Sequence, residues 1–224
     1  AVKEAQGGLP WNQWEEGVAK RYGLSLHEWG TRLGEPIRTL KFAQYHFFKQ
    51  WSALKEYANA HGVRIIGDIP IYVAHDSSDV WAHPELYQLD EAGNPTVVAG
   101  VPPDYFSATG QLWGNPIYRW DLHAERGFDW WTDRIRATLR MVDWIRIDHF
   151  RGFEAYWEVP ATEQTAVNGR WVDGPRDALF DAVRNALGDV PVVAENLGVI
   201  TDDVEALRKR HGFPGMAVLQ FAFG

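Results

Sequence analysis

Arg146-Ile147-Asp148-His149-Phe150 and Val193-Ala194-Glu195-Asn196-Leu197-Gly198 decide how this chain is read. Each segment closes a short apolar run, Val142 to Ile147 and Val190 to Val193, with a single carboxylate. Each run then breaks into a Gly-containing loop. Short runs rich in β-branched residues fit strands buried in a parallel sheet, and the carboxyl ends of such strands are where α/β proteins collect their chemistry.

The surrounding segments supply the helices that parallel strands require. Residues 126–141 carry Phe128, Trp131, Ile135 and Leu139 at helical spacing, and residues of about 176–187 fill the same role before the second run. Upstream, a helix begins at Pro36, repeats Leu40, Ala43, Phe47, Trp51, Leu54 and Ala58 at three- and four-residue steps, and stops at Gly62. A strand-like run, Val63 to Val73, follows it. Downstream, Thr201 reads as an N-cap with Asp202 and Asp203 in the first helical turn, where the helix dipole favours acids. Gly212 ends that helix, and Met216 to Phe223 reads as a fourth strand. Residues 9–33 read as irregular helical material containing Trp11, Trp14 and Trp29.

Strand, helix, strand in repetition means α/β class with a parallel sheet. Four strands occupy most of the 224 residues because the connections are long. The reading is therefore part, about half, of a (β/α)₈ TIM barrel with long inserted loops, which forms one partial catalytic domain over 1–224. A doubly wound open sheet is the rival, but no G-x-G-x-x-G follows any strand. The connection over 74–125 is too long for an ordinary one. Its centre, Val101 to Pro116, is dense in turn formers and aromatics and reads as a lid or ligand-contacting loop.

Composition narrows the partners. The formal charge is −8 with no Lys/Arg run, which disfavours nucleic acid and anionic membranes. No apolar stretch reaches the length of a spanning helix. With no Cys there is neither a disulfide framework nor a thiolate metal site, which suits a cytosolic protein. The chain has twelve Trp, whose flat faces suit the apolar faces of sugar rings.

Asp148 and Glu195 lie 47 residues apart, one strand–helix unit, and emerge on one face if their strands are neighbours. Period-two alternation turns Arg146 the same way as Asp148, where a guanidinium favours an ionised, nucleophilic carboxylate. Glu195 has no nearby cation in sequence, and burial is expected to keep it protonated. One ionised and one protonated carboxyl are what cleavage of a glycosidic bond requires. None of the eight His has zinc-site spacing, no G-x-S-x-G elbow is present, and no phosphate loop implies a nucleotide cofactor.

Four motifs, Arg146 to Phe153, Ala194 to Gly198, Gly67 to Val73 and Pro102 to Gln111, resemble the amylomaltase or disproportionating-enzyme family, 4-α-glucanotransferases of the α-amylase superfamily. The match keeps order and spacing across nearly all of residues 36–224. The resemblance implies retaining transfer of α-1,4-glucan segments between maltooligosaccharides, without cofactor or metal. It implies Asp148 as nucleophile, Glu195 as general acid and then base, and Arg146 as the group that orients Asp148. Asp68 matches the strand-end Asp near the donor sugar. Asp104, Tyr105, Phe106 and Trp113 match the loop folded over bound glucan. His149, beside Asp148, reads as a sugar-hydroxyl contact or a packed ring and not as a metal ligand.

The chain departs from the family pattern in one respect. The family's third essential carboxylate, in a His-Asp-Asn-type motif on a later strand, has no match here, and the aromatic N-terminal region is also missing. The expectation is an internal piece of a longer enzyme, of low stability alone because a partial barrel exposes strand edges. A retaining α-glucan hydrolase carries the same two carboxylates and differs in giving only shorter products. A non-catalytic glucan-binding module would bind equally well without Asp148.

Overall fold

The computed structural model describes residues 1–220. The amino-terminal region holds α1 (Val2–Ala5), α2 (Glu16–Ala19), α3 (Gly23–Arg32) and the 27-residue α4 (Gly34–Ala60). Then come β1 (Ile66–Pro70), α5 (Ser78–Ala82), β2 (Val97–Val101), β3 (Gln111–Pro116), α6 (Trp120–Glu125) and α7 (Asp129–Met141). The remainder is β4 (Trp144–Asp148), β5 (Ala155–Pro160), β6 (Arg170–Asp173), α8 (Asp177–Leu187), β7 (Val192–Ala194) and α9 (Asp202–Arg210). No helix among the described residues is long and apolar enough to cross a membrane.

The strands form two sheets. One is parallel, in the order β1-β4-β7, and β4 is its centre. Alternation along β4 buries Ile145 and Ile147 completely and turns Arg146 and Asp148 to the opposite face. The buried side meets α7 and α8, whose Trp131, Ile135, Leu179 and Val183 join it in one core with Phe150 and Phe153. Trp131 is wholly enclosed, and truncating such a side chain to Ala costs about 3–5 kcal/mol. Gly67 in β1 lets Val142 pack against the strand, for a Cβ there would lie 2.7 Å from Val142 Cγ1.

The second sheet is antiparallel, in the order β3-β2-β5-β6. It pairs two strands from the long 74–125 connection with two from residues 155–173, a hairpin the sequence reading did not anticipate. Only the two ends of the expected lid are thus built into a sheet. Residues 102–110 form the free loop between β2 and β3, closed at its base by Gly110 in the left-handed region (φ 66°).

Helix α4 forms as its periodicity demands, but the stripe containing Leu40, Phe47 and Leu54 is exposed, and no residue of α4 is buried. Its last turns dock on the end of α7. Trp51 Nε1 donates to the Met141 carbonyl at 2.7 Å, and Lys55 Nζ donates to those of Leu139 and Val142 at 3.0 and 2.7 Å. A cation on the terminal carbonyls of a helix satisfies both their hydrogen bonding and the dipole.

The fourth strand expected over 216–223 is not formed across 216–220, and residues 221–223 lie outside the described residues. The physical reason is local. The Met216 N–H, which a ladder would use, donates to Asn196 Oδ1 at 2.8 Å. The Ala194 N–H of β7 donates to the Pro214 carbonyl at 2.9 Å, before the expected strand begins.

Candidate active site

Strand register brings the predicted residues together. Asp68 lies opposite Arg146 and Pro70 opposite Asp148 in the β1–β4 ladder, while Ile147 lies opposite Ala194 in the β4–β7 ladder. Asp148 and Glu195 each follow that last pair, at the carboxyl ends of adjacent strands. Arg146 Nη1 donates to Asp68 Oδ1 at 2.7 Å and Arg146 Nη2 to Asp148 Oδ1 at 2.6 Å. Partial desolvation of the guanidinium is outweighed by these two carboxylates, which hold it above its ordinary range. Arg146 Nε also meets Met216 Sδ at 3.3 Å, so all three guanidinium nitrogens are engaged.

Glu195 is held by hydrogen bonds and not by the apolar enclosure expected from the sequence. Its Oε2 accepts from the His149 N–H at 2.9 Å and its Oε1 from the Leu197 N–H at 2.7 Å. Its backbone is stitched to β4 as well: Glu195 N–H donates to the Ile147 carbonyl at 3.0 Å, and Phe150 N–H to the Glu195 carbonyl at 3.2 Å. Each carboxylate oxygen keeps a second lone pair able to carry a proton.

Beside Asp148 lies a cavity of about 160 Å³ lined by Tyr72, Trp113, Asn115 and His149 among others. His149 occupies the left-handed region (φ 54°), which turns the chain away from β4 into a single 3₁₀ turn, Phe150–Phe153. Burial, then the neighbouring Arg151 charge, push its imidazole down to about 4, so the ring is neutral at pH 7. Its Nε2 is buried with no protein partner, and its ring meets the Trp113 ring edge-on at 4.8 Å.

Two second-layer residues fix the loops. Arg151 stacks over Trp171 at 3.9 Å and donates from Nη1 to the Val199 carbonyl at 2.6 Å, tying the loop after β7 to the β4 turn. Asn196 Nδ2 donates to Glu205 Oε1 at 2.6 Å, and hydrogen bonds from Arg208 and then Asn196 hold the Glu205 carboxyl down at about 2.

Asp68, Arg146, Asp148, His149, Glu195 and Trp113 therefore gather at one end of the parallel sheet and the adjoining cavity. Tyr105 and Phe106 do not join them; they project into solvent at 96% and 91% exposure. Asp104 is occupied with its own turn, its Oδ1 accepting from the Phe106 and Ser107 N–H groups at 2.8 Å. Sequence reasoning missed Tyr72, Asn115 and Arg151. Tyr72 had a signal, since it lies four residues beyond Asp68 on the same strand alternation. Arg151 had none, because its partners Trp171 and Val199 are distant in sequence.

Against known proteins, the family model described as 4-alpha-glucanotransferase matches residues 1–224. The 4-alpha-glucanotransferase of Thermus thermophilus is 58% identical over 223 residues, which is 100% of this chain and 45% of that protein. The chloroplastic/amyloplastic 4-alpha-glucanotransferase of Solanum tuberosum is 45% identical over 224 residues, 100% of this chain and 39% of that protein. A solved amylomaltase from Streptococcus agalactiae, in complex with acarbose, superposes with a TM-score of 0.95 at 47% identity, covering 100% of this chain and 45% of that one. The chain thus spans less than half the length of these relatives. Matched along its whole length in sequence and in fold, it belongs to the 4-alpha-glucanotransferase family.

Proposed function

We propose that this chain supplies the nucleophile, the acid/base and the donor-side groups of a 4-α-glucanotransferase acting on maltooligosaccharides. The observation that carries the reading is the single guanidinium of Arg146 bound to both Asp68 and Asp148, one register step from Glu195 on the next strand. In the reaction, Asp148 attacks the anomeric carbon while Glu195 delivers a proton to the glycosidic oxygen, and the leaving chain departs with a free 4-hydroxyl. Glu195, now a carboxylate, takes the proton from the 4-hydroxyl of an acceptor glucan. That oxygen bonds to the anomeric carbon and releases Asp148, with net retention. The neutral His149 ring offers a nitrogen to a sugar hydroxyl, and Trp113 offers an aromatic wall.

The three parallel strands with their helices are read as an arc of a (β/α)₈ barrel, with the antiparallel sheet as an insertion on its catalytic rim. Tyr105 and Phe106, exposed on the loop above, are read as the parts that close over bound glucan and keep water from the intermediate. Asp68 is read as a donor-sugar contact held in place by Arg146.

The test is product analysis after incubation with maltotriose, beside an Asp148→Asn control. Glucose with a ladder of longer maltooligosaccharides, lost in the control, is expected. Shorter products alone would make the protein a hydrolase. Glucan binding without turnover, unchanged by Asp148→Asn, would reduce it to a binding module.

A further inference from the structure

Four consecutive residues after α9, Phe213 to Met216, belong to no helix or strand, yet each is held. The Phe213 carbonyl accepts from Arg208 Nη1 at 2.6 Å and the Pro214 carbonyl from the Ala194 N–H at 2.9 Å. Gly215 lies so close to the Asn196 amide that a Cβ there would stand 2.8 Å from both Nδ2 and Oδ1. The Met216 N–H donates to that Oδ1 at 2.8 Å. Ordering an irregular segment costs conformational entropy, which these contacts offset. What the segment presents to the carboxylate site is the Met216 side chain, whose Sδ accepts from Arg146 Nε at 3.3 Å.

Asn196 follows Glu195 directly, and its orientation is not free. The ionised Glu205 carboxylate can only accept, so the amide turns Nδ2 toward Oε1, at 2.6 Å, and Oδ1 is left to face the Met216 N–H. Arg208 clamps that carboxylate with two bonds, Nε to Oε1 at 3.2 Å and Nη2 to Oε2 at 2.6 Å. The same guanidinium holds the Phe213 carbonyl. Helix α9, the loop after β7 and the segment 213–216 thus form one bracket around Met216.

A thioether suits the place that the bracket gives it. The Arg146 fork is planar, with Nη1 on Asp68 and Nη2 on Asp148. An apolar side chain at 216 would leave the Nε–H of a partly desolvated guanidinium unpaired. A carboxylate there would share the cation with Asp68 and Asp148. Sulfur is a weak, neutral acceptor, so it meets the third donor and leaves the charge to the other two. We propose that Met216 is a positioning residue for the transfer reaction: its thioether fixes the plane of the Arg146 guanidinium, which sets the Asp148 carboxylate, and Asn196 holds Met216 in place. The inference rests on the reading of Asp148 as nucleophile.

The experiment uses the full chain with isotope-labelled methionine methyls. Met141 and Met216 are its two methionines, so two methyl resonances are read by NMR. Arg146→Lys is expected to shift the Met216 methyl and to leave that of Met141 in place. Met216→Leu conserves volume, so its urea midpoint should stay close to the parent's. Its kcat for transfer from maltotriose is expected to fall about tenfold at unchanged KM, short of the hundredfold that a misplacement of about 1 Å can cost. Met216→Gln restores a neutral acceptor of similar reach and should recover most of the lost kcat. Asn196→Ala added to Met216→Leu should cost little more than either change alone, since both act through one contact.

A Met216 methyl unmoved by Arg146→Lys overturns the contact and the proposal with it. An undiminished kcat in Met216→Leu, or a fall that Met216→Gln does not reverse, overturns the positioning role and spares Asp148 as nucleophile. Fully additive losses in the double variant overturn the part given to Asn196. Turnover undiminished by Asp148→Asn overturns the nucleophile reading itself, and is told apart from the other failures because it needs no change at Met216.

Discussion

Arg146 donates to Asp148 at 2.6 Å while the same guanidinium holds Asp68 on the neighbouring strand at 2.7 Å. The two carboxylates are thus set by one planar fork, itself anchored in the central strand of the parallel sheet. A lysine ammonium is a point charge on a flexible stem and cannot span both. Arg146→Lys is expected to lower kcat about a hundredfold, with KM changed far less, as for loss of a preorganised charged donor. Initial rates of glucose release from maltotriose measure this. An unchanged kcat would show that the fork is not needed to set Asp148.

Nucleophile and acid separate by leaving group. Glu195→Gln removes the proton donor and is expected to slow maltotriose transfer by about 10³-fold, within the range for general acid catalysis. Maltosyl fluoride needs no proton to leave, so Glu195→Gln should still form the covalent adduct, visible by mass spectrometry. Asp148→Asn should form none with either donor. Adduct formation by Asp148→Asn would reassign the nucleophile.

Tyr105 and Phe106 bury almost nothing in the free protein. Tyr105→Ala and Phe106→Ala should therefore leave folding stability within about 0.5 kcal/mol of the parent. Hydrolysis should rise several-fold relative to transfer, because the loop no longer excludes water from the intermediate. Measuring glucose against longer products, together with urea midpoints, separates the two effects. A large stability loss with an unaltered product ratio would make the loop a packing element.

Arg151 is a positioning residue: its Nη1 bond to the Val199 carbonyl ties the loop that follows Glu195 to the β4 turn. Arg151→Met retains an apolar stem against Trp171 but loses the donors. Stability should fall by about 2 kcal/mol, the scale of a hydrogen bond from a charged group. A purely structural role would stop there. A positioning role also lowers kcat at unchanged KM, by about tenfold, which corresponds to about 1.4 kcal/mol of barrier.

His123 is fully enclosed by Tyr118, Trp120 and Trp130, and burial pushes its imidazole down to about 4, with Asp129 and Arg126 acting in opposite directions as smaller influences. In the unfolded chain the ring protonates near its ordinary 6.5. Above 6.5 it is neutral in both states and stability is level. From 6.5 down to about 4 the unfolded state holds more protons, so stability falls, by about 3 kcal/mol for this ring across the window. Urea midpoints at pH 7 and pH 4.5 should drop less in His123→Phe than in the parent. Parallel drops would exclude His123 as a source of acid sensitivity.

Local pattern alone determined much of this protein. Alternation in Trp144–Asp148, helical spacing in Asp129–Met141 and the N-cap at Thr201 are properties of neighbouring residues, and the structure forms all three, Thr201 Oγ1 accepting from the Val204 N–H. A carboxylate after each apolar run, read together with Arg146, singled out Asp148 and Glu195 as candidates. Tertiary structure alone decided what depends on pairing between distant segments. Residues 97–100 pair with 157–160 to build part of the long connection into a sheet, and that sheet delivers Trp113 to His149. The hydrogen bonds that hold Glu195 come from backbone groups, whose direction no side-chain pattern records. Met216 illustrates the same limit from the other side. Its surroundings read as a strand because the residues are apolar, yet its N–H is claimed by an Asn196 side chain twenty residues earlier in the chain, and a competing partner of that kind becomes visible only once the chain is folded.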